Sequence, residues 1–165
     1  MIGKDAKEAK GKSKNIKRRD KQAEPKEFEQ RLADLARVTR VTRGGKRLSF
    51  RACIVIGDRK GKVGYGIANG SDVTIAINKA VVQAKKKLFQ PKIKSGSIAH
   101  EIREKFGAAQ IILRPAKKGR GIIAGGAVRS VLELAGYEDA MAKIIGSKNK
   151  INNVKATYNA LRRLK

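Results

Sequence analysis

The densest chemistry in the sequence is a run of cations at short, uneven spacing: Arg37, Arg40, Arg43, Lys46, Arg47 and Arg51. No carboxylate interrupts it. Guanidinium groups grip phosphate oxygens two at a time and stack on bases, which suits them to a nucleic-acid backbone. Thr39, Gly44 and Gly45 fall inside the run and belong to the same candidate contact. The plainer alternative is a solvated basic edge that keeps strands from aggregating. Lys60 and Lys62 flank a second turn, and Lys79, Lys85, Lys86 and Lys87 crowd the latter part of an apolar-striped segment. Both sets read either as grips on a phosphate row or as ordinary surface.

A different chemistry is suggested by Gly119-Arg120-Gly121-Ile122-Ile123-Ala124, which satisfies G-x-G-x-x-A, with Glu138 and Asp139 some way downstream. That is the outline of a dinucleotide fingerprint. Pro115-Ala116-Lys117-Lys118 lengthens the turn before it, and no regular βαβ series follows. A close-packing loop, or one holding RNA phosphate, fits better. A nucleotide-dependent enzyme using Gly119–Gly126 would also lack a P-loop Lys-Ser/Thr pair and an acidic cluster for magnesium. His100 is the sole histidine, with no second Cys or His near enough for a metal set. The reading is therefore a binder with no catalytic residue, metal, cofactor or small-molecule substrate.

The charge balance supports a polyanionic partner. Forty Lys+Arg against 14 Asp+Glu give a net +26. One compact body carrying this much charge repels itself, and counterion release on phosphate offsets the repulsion. Residues 1–26 hold 10 of the basic and 4 of the acidic side chains, so most of the excess belongs to the remainder. Only 4% of residues are aromatic, too few for base stacking on single strands to be the main mechanism. Tyr65 and Cys53 are expected to pack. A lone cysteine forms no internal disulfide and fits a reducing compartment. The N-terminus has no apolar signal region and no segment is long and apolar enough to span a bilayer, so the expected location is the cytoplasm.

These side chains need elements to position them. Residues 1–26 read as a basic, disordered extension. Phe28, Leu32 and Leu35 recur at helical spacing, predicting a short helix to about Ala36. A strand follows to the Arg43-Gly44-Gly45-Lys46 turn, where Gly-Gly offers positive φ. Leu48, Phe50, Ala52, Ile54 and Ile56 then alternate with Ser49, Arg51, Cys53 and Val55, predicting a second strand. In the third, Gly64, Gly66 and Ala68 leave one side open to close approach by a helix or RNA backbone. Ser71 is expected to cap a helix striped by Val73, Ile77, Ala80, Val81, Ala84 and Leu88. The unit 27–91 thus has the α-β-β-β-α order of double-stranded-RNA-binding domains, which read A-form shape.

Lys92 to Ser97 is a basic connector and the expected boundary of a second unit, 92–165. That unit reads as a small α/β domain. It has a strand near Ile98, another at Ala109–Arg114, a helix from about Gly125 to Ala135 closed by Gly136, and a short strand at Ala140–Ile145. A last helix is capped by Asn152 or Asn153.

Several runs taken together resemble the ribosomal S-five family of the bacterial small subunit. They are Val38-Thr39-Arg40 with Arg43-Gly44-Gly45 and Ser49-Phe50, and Gly61-Lys62-Val63-Gly64-Tyr65-Gly66. The longest is Gly119–Arg129 with Val131-Leu132-Glu133 and Ala135-Gly136; Gly146-Ser147, Asn149, Ile151-Asn152 and Lys155-Ala156-Thr157 complete the set. The resemblance implies a double-stranded-RNA-binding-like domain followed by an α/β domain with a left-handed β-α-β crossover. It implies a structural role in the small ribosomal subunit: binding rRNA, organising the body and neck, lining the side where mRNA enters and supporting decoding accuracy. The hairpin loop Thr39–Lys46 would reach RNA near the neck. The fourth and eighth small-subunit proteins would be neighbours, with Gly119, Arg120, Gly121 and Arg129 on the side facing the fourth. The remaining alternative within binding is a double-stranded-RNA regulator that works off the ribosome.

Overall fold

The computed structural model describes residues 28–164, so the extension 1–26 lies outside the described residues. Two strands and a tight turn open the fold: β1 (Glu29–Thr42) and β2 (Gly45–Gly57) form a long antiparallel hairpin. β3 (Val63–Gly70) pairs with β2, giving a three-stranded sheet of order β1-β2-β3. The helix α1 (Val73–Lys85) packs back across β2 and β3.

The small residues of β3 are what let α1 approach. A methyl group at Gly66 would overlap the Ala80 carbonyl oxygen, and one at Gly64 would crowd that of Ala84. Ala76, Ala80 and Ala84 are buried against Ala52, Ile54, Ile56 and Ala68. The close-approach face read from the glycines is therefore filled by a helix. The helix begins one residue later than expected: Asp72, not Ser71, takes the N-cap position, and its carboxylate accepts from the Thr74 hydroxyl at 2.6 Å.

The expected helix over Phe28–Ala36 is instead part of β1. A β-bulge explains the misleading spacing, because the register shifts between Leu32, opposite Ile54, and Asp34, opposite Cys53. Inserting Ala33 puts Leu32 and Leu35, three residues apart, on one face of the strand. That imitates a helical repeat. β1 lies at the sheet edge outside the span of α1, so both leucines stay 40–50% exposed.

The second half holds β4 (Ile102–Phe106), β5 (Ala109–Pro115), β6 (Ile122–Ile123), α2 (Gly126–Ala135), β7 (Ala140–Ile144) and α3 (Lys150–Arg163). Its sheet order is β4-β5-β7-β6, antiparallel except for the parallel β6–β7 pair joined through α2. Gly136 closes α2 at φ 90°, as its position after the last apolar residue predicts. The strand expected near Ile98 lies at Ile102–Phe106. Ile98 itself follows a tight Lys94–Ser97 turn. Asn149, not Asn152 or Asn153, caps α3, accepting from the Ile151 amide at 3.1 Å.

The two halves share one core. Cys53, Val55 and Val63, on the face of the first sheet away from α1, are buried with Leu132, Leu134, Val154 and Leu161. Backbone contact reinforces this: the Arg59 amide donates to the Leu134 carbonyl at 3.1 Å. Tyr158 packs edge-on to Tyr65 and Phe89, with ring centroids 4.8 and 4.5 Å away.

Candidate nucleic-acid interface

The ladder dictates the shape of the basic run. β2 pairs with β3 only as far as Phe50, opposite Gly70. Beyond that point β1 and β2 continue alone, so Arg37–Ser49 forms a two-stranded ribbon that projects past the sheet. At its tip Thr42 donates its hydroxyl to the Gly45 carbonyl at 3.0 Å. Gly45 takes φ 151°, whereas Gly44 keeps a negative φ, so only one of the two glycines supplies the positive angle. A Cβ at either would meet nothing within 4 Å.

Cross-strand partners share a face of a ladder. Arg37, Thr39 and Val41 therefore lie with Lys46, Leu48 and Phe50, while Val38 and Arg40 lie with Arg47 and Ser49. Arg40 and Arg47 are direct partners. All of Arg37, Thr39, Arg40, Arg43, Gly44, Gly45, Lys46 and Arg47 are exposed. Among the described residues, no carboxylate pairs with any of these cations. Val41, 74% exposed, and Leu48, 51% exposed, add apolar surface to the Lys46 face. The ribbon thus offers uncompensated charge on both faces and an apolar strip on one. Sequence inspection missed the strip, which forms because Val41 and Leu48 are diagonal neighbours on one face of the ladder.

Arg51 is half-buried and lies farther down β2, opposite Asn69. Its Nε is buried without a partner, beside Lys79 and Gln83 in a groove between the β3 edge and α1. Lys60 and Lys62 lie at the other end of β2, about 40 Å from the tip at an extended rise of about 3.3 Å per residue. Asp58 shapes their turn by accepting both their amides on one carboxylate oxygen, each at 2.8 Å. Because α1 runs back along β3, Lys85, Lys86 and Lys87 also come to this end. Lys87 is partly engaged within the molecule: its ammonium lies 5.0 Å from the centre of the Tyr65 ring, and its carbonyl accepts from the Tyr158 hydroxyl at 2.9 Å. The candidate cations therefore form two separated groups rather than one cluster.

In the second half, the glycine loop has an internal occupant. Asp139, 5% exposed, accepts from the Gly121 amide at 2.6 Å and the Gly119 amide at 3.0 Å. These amides, Gly121 first, hold its carboxyl below the usual carboxylate range against the opposing effect of burial. The N–H groups that would cradle a pyrophosphate are thus already saturated by a carboxylate. Gly119 and Gly121 are needed for φ of 83° and 73°. The motif folds a loop; it does not build a nucleotide site.

Arg120 is exposed on that loop. Arg129 is held by Glu133 one turn along α2, Nε to Oε1 at 2.6 Å, and Glu133 also binds Arg31 of β1. Arg129 and then Arg31 hold the Glu133 carboxyl below the usual carboxylate range, against the opposing effect of burial. The Glu133–Arg31 pair thus joins the two halves, while the Arg129 pair stays within α2. His100 is exposed, and Cys53 is fully buried with its thiol pushed up to about 11 by that burial.

Comparison with known proteins agrees with this architecture. Residues 28–90 match the model of Ribosomal protein S5, N-terminal domain, and residues 104–165 that of Ribosomal protein S5, C-terminal domain. The chain is 48% identical to small ribosomal subunit protein uS5 of Hydrogenobaculum sp. (strain Y04AAS1) over 139 residues, covering 84% of this chain and 74% of that protein. It is 46% identical to small ribosomal subunit protein uS5c of Emiliania huxleyi over 153 residues, 92% and 94% of the two chains. With the uS5c of Cyanophora paradoxa the figures are 48% over 153 residues, 92% and 89%. On the two domain matches and these identities, the chain belongs to the ribosomal protein S5 family.

Proposed function

We infer that the chain is a non-enzymatic structural constituent of the small ribosomal subunit, that it binds rRNA, and that the β1–β2 ribbon makes the principal contact. The observation that carries the assignment to the ribbon is the pairing of Arg40 with Arg47 on a projecting, carboxylate-free hairpin. Like charges directly opposite in a ladder are unfavourable in isolation. Phosphate between or beside them reverses the sign. Double-stranded RNA exposes a wide, shallow minor groove bordered by phosphates and 2′-hydroxyls, suited to shape-based contact. Val41 and Leu48 would lie against ribose while Lys46 and the arginines meet phosphate.

The resemblance to the family extends the proposal to mRNA on the side where it enters, and to the fourth and eighth small-subunit proteins as neighbours. Gly119, Arg120 and Gly121 remain candidates for the protein-facing side, the loop's shape being fixed from within by Asp139.

Filter binding of the full chain to small-subunit rRNA over a salt series tests the core of this reading. Log affinity should fall steeply and linearly with log salt, at about 0.7 to 0.9 per phosphate neutralised. Structured rRNA should be preferred to an unstructured RNA of equal length. A flat response, or equal affinity for the two RNAs, would contradict it. Cross-linking with mass spectrometry on assembled subunits checks the protein neighbours.

A further inference from the structure

The end of the molecule opposite the ribbon carries a pocket that joins one RNA-contact candidate, Lys60, to residues given no role so far. Lys60, Lys92, Lys94 and Gln90 line it, over a floor that includes Gly61 and Pro91. None of its lining residues is acidic. Lys92 and Lys94 come from the connector between the halves, Lys60 from the β2–β3 turn. Three lysines and a glutamine from two chain segments thus line one pocket.

The backbone beneath them is fixed. Val63 and Phe89 exchange both backbone hydrogen bonds at 3.0 Å. The Tyr137 hydroxyl donates to the Lys92 carbonyl at 3.1 Å. Lys94 and Ser97 close a reciprocal pair at 3.0 and 2.9 Å. The neighbouring carboxylate, Asp58, is turned back onto the amides of its own loop. Holding like charges together on rigid backbone is costly unless an anion joins them. A preorganised site spends less ordering entropy when that anion arrives.

We propose that this pocket is a second phosphate-binding site, taking the phosphodiester backbone of an RNA segment distinct from the one at the ribbon. Its volume, about 630 Å3, exceeds what one inorganic phosphate fills. It lies about 40 Å along β2 from the hairpin tip, beyond the reach of any single side chain. The molecule then acts as a staple with two RNA-binding ends, the second engagement favoured by the high local concentration the first creates. The inference rests on the rRNA-binding reading above.

Lysine acetylation of the full chain, free and bound to small-subunit rRNA, followed by mass spectrometry of each lysine, tests it. Lys46 on the ribbon is the internal reference. The expected result is slowing by about tenfold or more at Lys60, Lys92 and Lys94 as well as at Lys46, with inorganic pyrophosphate at equal phosphate concentration giving no protection. Protection at Lys46 with free-chain rates at Lys92 and Lys94 would overturn the second site and leave the ribbon reading standing. Unprotected Lys46 with protected pocket lysines would do the reverse. Equal protection by pyrophosphate would mark a free-anion site and overturn the RNA assignment. As a second measurement, Lys92→Gln with Lys94→Gln should lower the salt slope by about 1.4 to 1.8, corresponding to two lost phosphate contacts; an unchanged slope counts against the site.

Discussion

Arg40 on β1 and Arg47 on β2 stand directly opposite one another in the ladder of a ribbon that no third strand supports. A protein selected only for its own stability would place opposite charges or a β-branched pair there. The pair makes sense as a site whose stabilising partner arrives from outside, and it gives a prediction with two opposite signs. Replacing both with threonine should raise the stability of the isolated chain by up to about 1 kcal/mol. The same variant should bind rRNA more weakly, its salt slope reduced by about 1.4 to 1.8. Urea midpoints and filter binding measure the two. Unchanged affinity alongside the gain in stability would leave the arginines without the role assigned to them.

How far the sequence led depends on which residues one takes. β2 was legible because Ala52, Ile54 and Ile56 really do face α1 while Cys53 and Val55 face the second half, a period of two with both faces buried. The first part of β1 was not legible, because the bulge at Ala33 shifts the phase and produces a spacing of three on one face. Hydrophobic periodicity cannot distinguish that from a helical turn. β4 was placed a few residues too early because Arg103, Glu104 and Lys105 dominate a short edge strand, where charge is a normal protection against further pairing. At the candidate interface the ribbon arginines were readable from composition and turn chemistry. The division of the cations into two groups was not, since it follows from the length of β2 and the direction of α1. Nor could Asp139 be recognised as the occupant of the glycine loop, because that contact joins residues 18 and 20 positions apart.

The glycines of β3 and those of the hairpin tip look alike in sequence and should behave differently. Gly66→Ala forces a methyl group into the Ala80 carbonyl, which belongs to helix backbone and cannot step aside. The expected cost is about 1 to 3 kcal/mol or more, lowering the melting temperature by roughly 3 to 10 °C. Gly44→Ala, at negative φ in open space, should stay within about 0.5 kcal/mol of the parent. Thermal melts of the two variants decide it, and equal behaviour would mean that α1 does not sit on Gly66 as described.

Asp139 should link loop order to pH. Its carboxyl is held low in the folded chain, chiefly by the Gly121 and Gly119 amides. The unfolded chain therefore binds the proton more readily than the folded one. The resulting stabilisation is complete above the unfolded carboxylate value, near 3.9, and is lost as pH falls through the depressed folded value. Asp139→Asn should flatten part of the acid limb of a stability–pH curve. Glu133, Glu29, Glu101 and Asp72 are lowered too and will keep the remainder. Hydrogen exchange at the Gly119 and Gly121 amides should quicken in the variant at neutral pH. Unaltered exchange there would remove Asp139 as the organiser of the loop.

Cys53 offers a direct measure of whether the two halves open separately. It is fully exposed to neither side of the sheet: its side chain is buried in the cluster that also contains Leu134 from α2. Only the thiolate reacts with disulfide reagents, and burial places this thiol near 11. At pH 8 the folded chain should label at least about a hundredfold more slowly than the urea-unfolded chain, through transient opening alone. Leu134→Ala removes a buried side chain from the other half, at an expected cost of about 2 to 5 kcal/mol. If the core is continuous, that loss lowers the opening free energy at Cys53 and speeds labelling by about tenfold or more. If instead the sheet of the first half stays closed while the second half loosens, Cys53 labels at the parent rate, and the shared core described here is wrong.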